Sequence, residues 1–357
     1  MRYRCAVLDD YQRVALEMAD WSVVTNDIDV TPFPVAIEGV EAAAHALQEF
    51  EIICAMRERT PFPRALLERL PKLKLLVTTG MRNASIDVAA AKERGITVCG
   101  TEGAKHPTAE LAIGLILSLA RNIPGESLSM KVTQGPTGPW QHTVGRDLFG
   151  HTLGIIGLGN LGQRVAKVGQ AFGMKVLAWS QNLKPEKCKE VGVEYATKAD
   201  LFQNSDFISI HLQLSDRTRG LVSATDLAMM KKSAYLINTS RGPIIDEAAL
   251  VRALEKHQIA GAGLDVFNVE PLPGDHPLRK LPNALLTPHL GYVTQDGYRI
   301  FYGRSLAQLS KMVEVRNPGI VAYVLSDLSP GTWYFAVKTF TTANVESDFS
   351  GTVKATL

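Results

Sequence analysis

The amino-acid sequence predicts an α/β protein. It has two parallel-sheet domains, Rossmann-like and flavodoxin-like, with a cleft between them, and a short antiparallel β segment at the C-terminal end. Three observations predict it. Short apolar runs alternate with stretches of helical spacing in two series, one over the first hundred residues and one starting at Thr152. Several of those runs are apolar throughout, as strands covered on both faces are. After Ile320 the texture turns aromatic and β-branched, with many Thr and Ser residues and no helical period.

In the first series, residues 5–8, 52–55, 73–78 and 96–99 read as strands. Residues 40–49, 63–70 and 86–94 read as helices between them. Such alternation implies a parallel sheet with right-handed crossovers. A long helix starts near Pro107, with His106 or Thr108 as candidate cap. It runs through Leu111, Leu115 and Leu119 and is apolar nearly all round, so it belongs in the interior or against a second subunit. Gly135-Pro136-Thr137-Gly138-Pro139-Trp140 reads as a loop. The second series places strands at 153–157, 175–179, 207–211, 234–238, 261–266 and 284–287. A last helix, about 295–315, carries Ile300, Leu306, Leu309 and Val313.

A length of 357 residues, 46% of them hydrophobic, suits two domains with substantial cores. The formal charge of +2 gives no global pull toward nucleic acid or anionic membrane. Cys5, Cys54, Cys99 and Cys188 are far apart and form no C-x-x-C pair, so no metal knuckle is expected. Three of them lie in apolar strand-like runs and read as buried free thiols, which fits a reducing cytoplasm. Met1-Arg2-Tyr3-Arg4 leads into a strand and does not read as a signal peptide. The apolar run at 111–120 is too short to span a bilayer.

The first chemical motif is Gly157-Leu158-Gly159-Asn160-Leu161-Gly162. Alone, G-x-G-x-x-G is weak; here it follows an apolar strand and opens a helix through Val165 and Val168, the context of a dinucleotide-binding turn. Gly157 permits the tight turn, Gly159 lets backbone approach a pyrophosphate, and Gly162 allows close helix–strand packing. The amides of Asn160 and Leu161 open the helix whose positive end faces the phosphates. About 18 positions on, where a carboxylate would bond the ribose hydroxyls and repel a 2′-phosphate, stand Ser180, Gln181 and Asn182. NAD and NADP are both open, with a lean toward NADP.

Three polar residues follow predicted strands: Arg241 in Asn238-Thr239-Ser240-Arg241-Gly242, Glu270 in Asn268-Val269-Glu270-Pro271, and His289 in Thr287-Pro288-His289-Leu290-Gly291. Ligands of such sheets bind beyond the carboxyl ends of strands. A guanidinium pairs with a carboxylate, an imidazole exchanges a proton near neutral pH, and a neighbouring carboxylate orients the imidazole and favours its charged form. Beside a dinucleotide turn, the trio reads as hydride transfer on a small 2-oxo or 2-hydroxy acid.

At these residues the chain resembles the D-isomer-specific 2-hydroxyacid dehydrogenase family, over about residues 1–315. The resemblance implies a substrate domain of residues 1–103 completed by 293–316, a cofactor domain of 104–292, and a homodimer through the latter, to which the helix near Pro107 contributes. It implies that Arg241 binds substrate, that His289 is the acid/base with Glu270 as its partner, and that Asp265 contacts the nicotinamide carboxamide. His211 and Thr239 fall on loops beside the cofactor. Formate dehydrogenases of the superfamily carry Gln in place of Glu270, which disfavours formate. Related corepressors keep the fold, so a nucleotide-sensing binding protein is the alternative.

Two stretches depart from the family pattern. The substrate loop, usually of small residues offering backbone amides, reads Thr79-Gly80-Met81-Arg82-Asn83. Arg82 either contacts a second acidic group or is solvated, and Arg57 and Arg59 are placed to face the cleft. The tail, 317–357, resembles part of a fibronectin type III module with a tyrosine corner at Tyr334.

Overall fold

The computed structural model describes residues 2–81, 83–104, 106–132 and 140–309, and two strands near the C terminus. In chain order the first series forms β1 (Tyr3–Val7), β2 (Ile28–Pro32), α1 (Val40–Leu47), β3 (Ile52–Ala55), α2 (Arg64–Leu67), β4 (Leu75–Thr78), α3 (Val88–Glu93) and β5 (Thr97–Gly100). The five strands make one parallel sheet in the order β2-β1-β3-β4-β5. The sequence reading did not include β2. It is an edge strand whose exposure alternates and which ends on Pro32, so it lacks the continuous apolar run of its neighbours.

Next come α4 (Pro107–Arg121) and α5 (Ile123–Val132). Ala109, Ala112, Leu115, Ile116 and Ala120 of α4 are buried. Neither proposed cap works through its side chain. His106 is the cap residue but its side chain makes no capping bond, and Thr108 Oγ1 donates to the Gly291 carbonyl at 2.8 Å instead. α5 was not foreseen because it has no core-facing stripe, and none of its residues is buried.

The second series is β6 (Thr152–Ile156), α6 (Asn160–Ala171), β7 (Lys175–Trp179), α7 (Pro185–Val191), β8 (Glu194–Tyr195), α8 (Lys198–Asn204), β9 (Phe207–Ile210), α9 (Ala224–Met229), β10 (Tyr235–Asn238), α10 (Glu247–Glu255), β11 (Gly261–Leu264) and β12 (Ala284–Leu286). Its seven strands are parallel in the order β12-β11-β10-β9-β6-β7-β8. The order reverses at β6, which makes the crevice beyond β6 a topological switch point. Pairing is in register: Ile156 lies opposite Trp179 and Ile210, Ile210 opposite Asn238, Asn238 opposite Leu264, and Leu264 opposite Leu286. Six strands therefore end level, and the loops carrying residues 157, 180, 211, 239–241, 265 and 287–289 start from one rim. In the smaller sheet, Ala55, Thr78 and Gly100 end level in the same way.

Each sheet is covered on both faces. Ile208, Leu236, Leu250 and Phe202 belong to one core of the larger sheet, and Ile155, Val165, Phe207 and Leu115 to the other. The smaller sheet packs Leu8, Ile53, Leu67 and Leu76 on one side. On the other, Cys5, Val7 and Cys54 meet Tyr298, Phe301 and Tyr302 of α11 (Gln295–Leu309). All four cysteines are buried and none is in a disulfide, which agrees with the expectation for the three in strand-like runs and extends it to the fourth. In the tail, β13 (Thr332–Phe335) pairs antiparallel with β14 (Val353–Thr356), which agrees with the β composition. The rest of the tail, and with it the fibronectin resemblance, lies outside the described residues. No described helix is long and apolar enough to cross a membrane.

Candidate active site

The loop after β12 carries His289 in the left-handed region, at φ 55°. A non-glycine residue there is strained by about 1–3 kcal/mol and needs its surroundings to hold it. Asp265, fully buried, does so. Its Oδ1 accepts from Thr287 Oγ1 at 2.6 Å and Leu290 N–H at 2.7 Å, and its Oδ2 accepts from Gly291 N–H at 2.9 Å. Burial raises the Asp265 carboxyl above its ordinary range despite these donors. The structure thus gives Asp265 a structural duty under the histidine, which sequence reading had not assigned.

His289 Nδ1 lies 2.6 Å from Glu270 Oε2, and Glu270 Oε1 accepts from the Phe267 amide at 2.9 Å. Burial pushes the Glu270 carboxyl up, but the His289 hydrogen bond and charge outweigh it, and the result lies below the usual range. Arg241, after β10, also adds to this depression, which places its charge within electrostatic reach of the pair. Its Nη1 donates to the Ser240 carbonyl at 2.7 Å and its Nη2 to Glu58 Oε1 at 2.8 Å. The structure therefore brings the three predicted residues to one cleft. Glu270, His289, Arg57, Glu58 and Arg59 line a cavity of about 730 Å³, and Arg241 joins it through Glu58.

Arg57, at φ 52°, donates its amide to Thr79 Oγ1 at 2.9 Å. Its Nε lies 3.7 Å from Glu58 Oε2. Gly80, at φ 94°, donates its N–H to Thr101 Oγ1 at 3.0 Å, so a substrate carboxylate would have to compete for that amide. Met81 is exposed, and Arg82 lies outside the described residues. Arg59 Nε donates to the Tyr292 hydroxyl at 2.5 Å, and the guanidinium stands over the rings of Tyr11 and Tyr292. Glu58 and Tyr292 were missed in the sequence. Glu58 lies 183 residues from Arg241, and in Met56-Arg57-Glu58-Arg59 it looks like one solvated charge among others.

The turn after β6 leaves open space at the N-terminus of α6. Gly157 sits at φ 99°, where a Cβ would also strike the His211 carbonyl. A Cβ on Gly162 would lie 2.1 Å from the Gly157 carbonyl oxygen, whereas one on Gly159 would point into open space at the helix N-cap, which has no side-chain cap. Two buried polar atoms by this rim, His211 Nδ1 and Thr239 Oγ1, have no partner among the described residues. His211 Nε2 shares a hydrogen with Ser209 Oγ at 2.9 Å, and burial pushes the imidazole down to about 4, so it is neutral. Open space at a helix N-terminus beside orphaned polar atoms fits a bound polar ligand. Ser180 is half-buried after β7, and Gln181 and Asn182 are exposed.

A model of the D-isomer specific 2-hydroxyacid dehydrogenase NAD binding domain matches residues 113–291. The chain belongs to this family. Its members are oxidoreductases that act on CH–OH donors. The chain is 38% identical to a hydroxypyruvate reductase of Thermotoga maritima, over 79% of this chain and 95% of that one. It is 41% identical to a glyoxylate reductase of Aeropyrum pernix, over 65% and 70%. A phosphoglycerate oxidoreductase from Vibrio cholerae superposes with a TM-score of 0.81 at 37% identity, over 86% of this chain and 98% of that one.

Proposed function

We propose that this dehydrogenase interconverts a small D-2-hydroxy acid and its 2-oxo acid, of the glyoxylate or hydroxypyruvate type or larger, and works mainly as a reductase. The observation that carries the reading is the 2.6 Å His289–Glu270 contact on the wall of a cleft whose Glu58 is bonded to Arg241. A bound nicotinamide coenzyme supplies the hydride. The chain's own residues do the rest. Arg241 holds the substrate carboxylate and stabilises charge developing on the C2 oxygen. Nδ1 of His289 is committed to Glu270, so Nε2 is the nitrogen that gives the C2 oxygen its proton. Glu270 steadies the imidazolium, and Asp265 sets the loop that aims it; contact of Asp265 with the carboxamide is part of this proposal. Residues 157–162, His211 and Thr239 would hold the coenzyme.

Ser180, Gln181 and Asn182 place no carboxylate against a 2′-phosphate, so NADPH should serve at least as well as NADH. A fall in nicotinamide absorbance with glyoxylate, hydroxypyruvate and longer 2-oxo acids, assayed with each coenzyme, tests the reading. No oxidation with any acid would favour a nucleotide-sensing protein. We further propose a homodimer in which a second copy covers the exposed Ile123, Leu128 and Met130 of α5 and the nearby Trp140 and Val144. Light scattering on the same preparation should give twice the chain mass.

The glycine turn yields a prediction that separates packing from binding. Gly162→Ala forces a methyl group into backbone and should cost about 1–3 kcal/mol, read as a lower Tm. Gly159→Ala has space for its methyl group and should leave the Tm of the free protein unchanged, yet abolish the rise in Tm that NADH or NADPH produces. An undiminished rise in Gly159→Ala would remove the coenzyme from this turn.

A further inference from the structure

A carboxylate stands where substrate recognition would call only for positive charge. Glu58 Oε1 bonds Arg241 Nη2 at 2.8 Å, and Oε2 faces Arg57 Nε at 3.7 Å, buried and without a hydrogen-bond donor. Burial pushes this carboxyl up, but Arg241 and Arg57 outweigh it and hold it below the usual range. Glu58 is thus an anion lining the same cavity as His289. Around that cavity the cations Arg57 and Arg59 face the carboxylates Glu58 and Glu270, the exposed Arg279 and Glu38 offset each other, and Arg241 adds its charge from behind through Glu58. Apart from the proton that His289 gives to the C2 oxygen, the balance is one positive charge, enough for one carboxylate.

We propose that Glu58 selects substrates by charge: it cancels one arginine, so the site takes 2-oxo acids bearing a single negative charge and an uncharged C3 side, and rejects those with a second carboxylate or a phosphate. The anionic charge of Glu58 supplies the repulsive element, since a second anion brought into the cavity would sit beside a carboxylate one of whose oxygens has no donor. The same contact orients Arg241, whose two terminal nitrogens are both held by protein acceptors. The Nε edge of the guanidinium remains for a substrate carboxylate.

This inference rests on the dehydrogenase reading, and its test keeps the two apart. kcat/KM is measured for glyoxylate and hydroxypyruvate against oxaloacetate and phosphohydroxypyruvate, in the wild type, Glu58→Gln and Glu58→Asp. The wild type should favour the monoanions by at least about tenfold, Glu58→Gln should shrink that ratio roughly tenfold, and Glu58→Asp should keep most of it. In parallel, thermal shifts in the presence of coenzyme are read with oxamate, one negative charge, and tartronate, two. Wild-type protein should respond to oxamate and Glu58→Gln should gain a response to tartronate. A wild type that prefers dianions overturns the inference, as does a ratio unmoved in Glu58→Gln or an equal loss on all acids. Absent turnover with the expected oxamate–tartronate pattern would leave charge selection standing and sink the dehydrogenase reading. Normal turnover without that pattern would do the reverse.

Discussion

Arg241→Ala should lower kcat/KM for 2-oxo acid reduction by about 10³-fold. Two losses combine. The substrate carboxylate loses a charge-assisted partner, and the charge that builds on the C2 oxygen loses a preorganised donor, each worth roughly 2–3 kcal/mol in a partly desolvated cleft. Arg241→Lys should recover little, because an ammonium cannot span a carboxylate and a second acceptor with fixed fork geometry. The structure adds a side effect. Without Arg241, Glu58 keeps only Arg57 at 3.7 Å, so its half-buried carboxylate is nearly unpaired. A lower Tm should accompany the kinetic loss, and Glu58→Gln in the Arg241→Ala background should restore the Tm without restoring turnover. Steady-state rates and melting curves on the single and double variants check this. Arg241→Ala with near-normal kcat/KM would place the substrate elsewhere.

Most of the architecture was legible because its strands announce themselves. A run such as Leu153–Ile156 or Leu236–Ile237 is covered on both faces and so carries no polar side chain. What escaped was the periphery. β2 is an edge strand whose exposure alternates, both residues of the edge strand β8 are exposed, and α5 buries nothing, so none of the three leaves a hydrophobic signature. The polar trio was legible for a different reason: each member follows a strand of one register-matched sheet, and parallel topology alone sends such loops to a common rim. Glu58 was not legible, because its significance arises only when the loop after β3 in the smaller sheet meets the loop after β10 in the larger one. The double duty of Asp265 was hidden likewise. Sequence shows an acid after a strand, but not that three donors of the next loop converge on it.

His289→Asn should lower kcat by about 10²–10⁴-fold in both directions while leaving coenzyme binding intact, since the imidazole supplies a proton and does not belong to the glycine turn. Glu270→Gln is the milder and more telling variant. Glu270 is held below the ordinary carboxyl range, so it is anionic throughout the working pH range. Glutamine keeps an acceptor for the ring N–H and for the Phe267 amide but removes the charge. Reduction needs a protonated donor, and a neighbouring anion favours that form; without it, the limb along which reductive kcat falls with rising pH should move to lower pH. The oxidative limb, which needs the unprotonated base, should move the same way, so oxidation persists to lower pH. Parallel displacement of both limbs is the signature of one shared group. A profile unchanged in Glu270→Gln would discard the pairing as a catalytic device and leave the 2.6 Å contact a structural one.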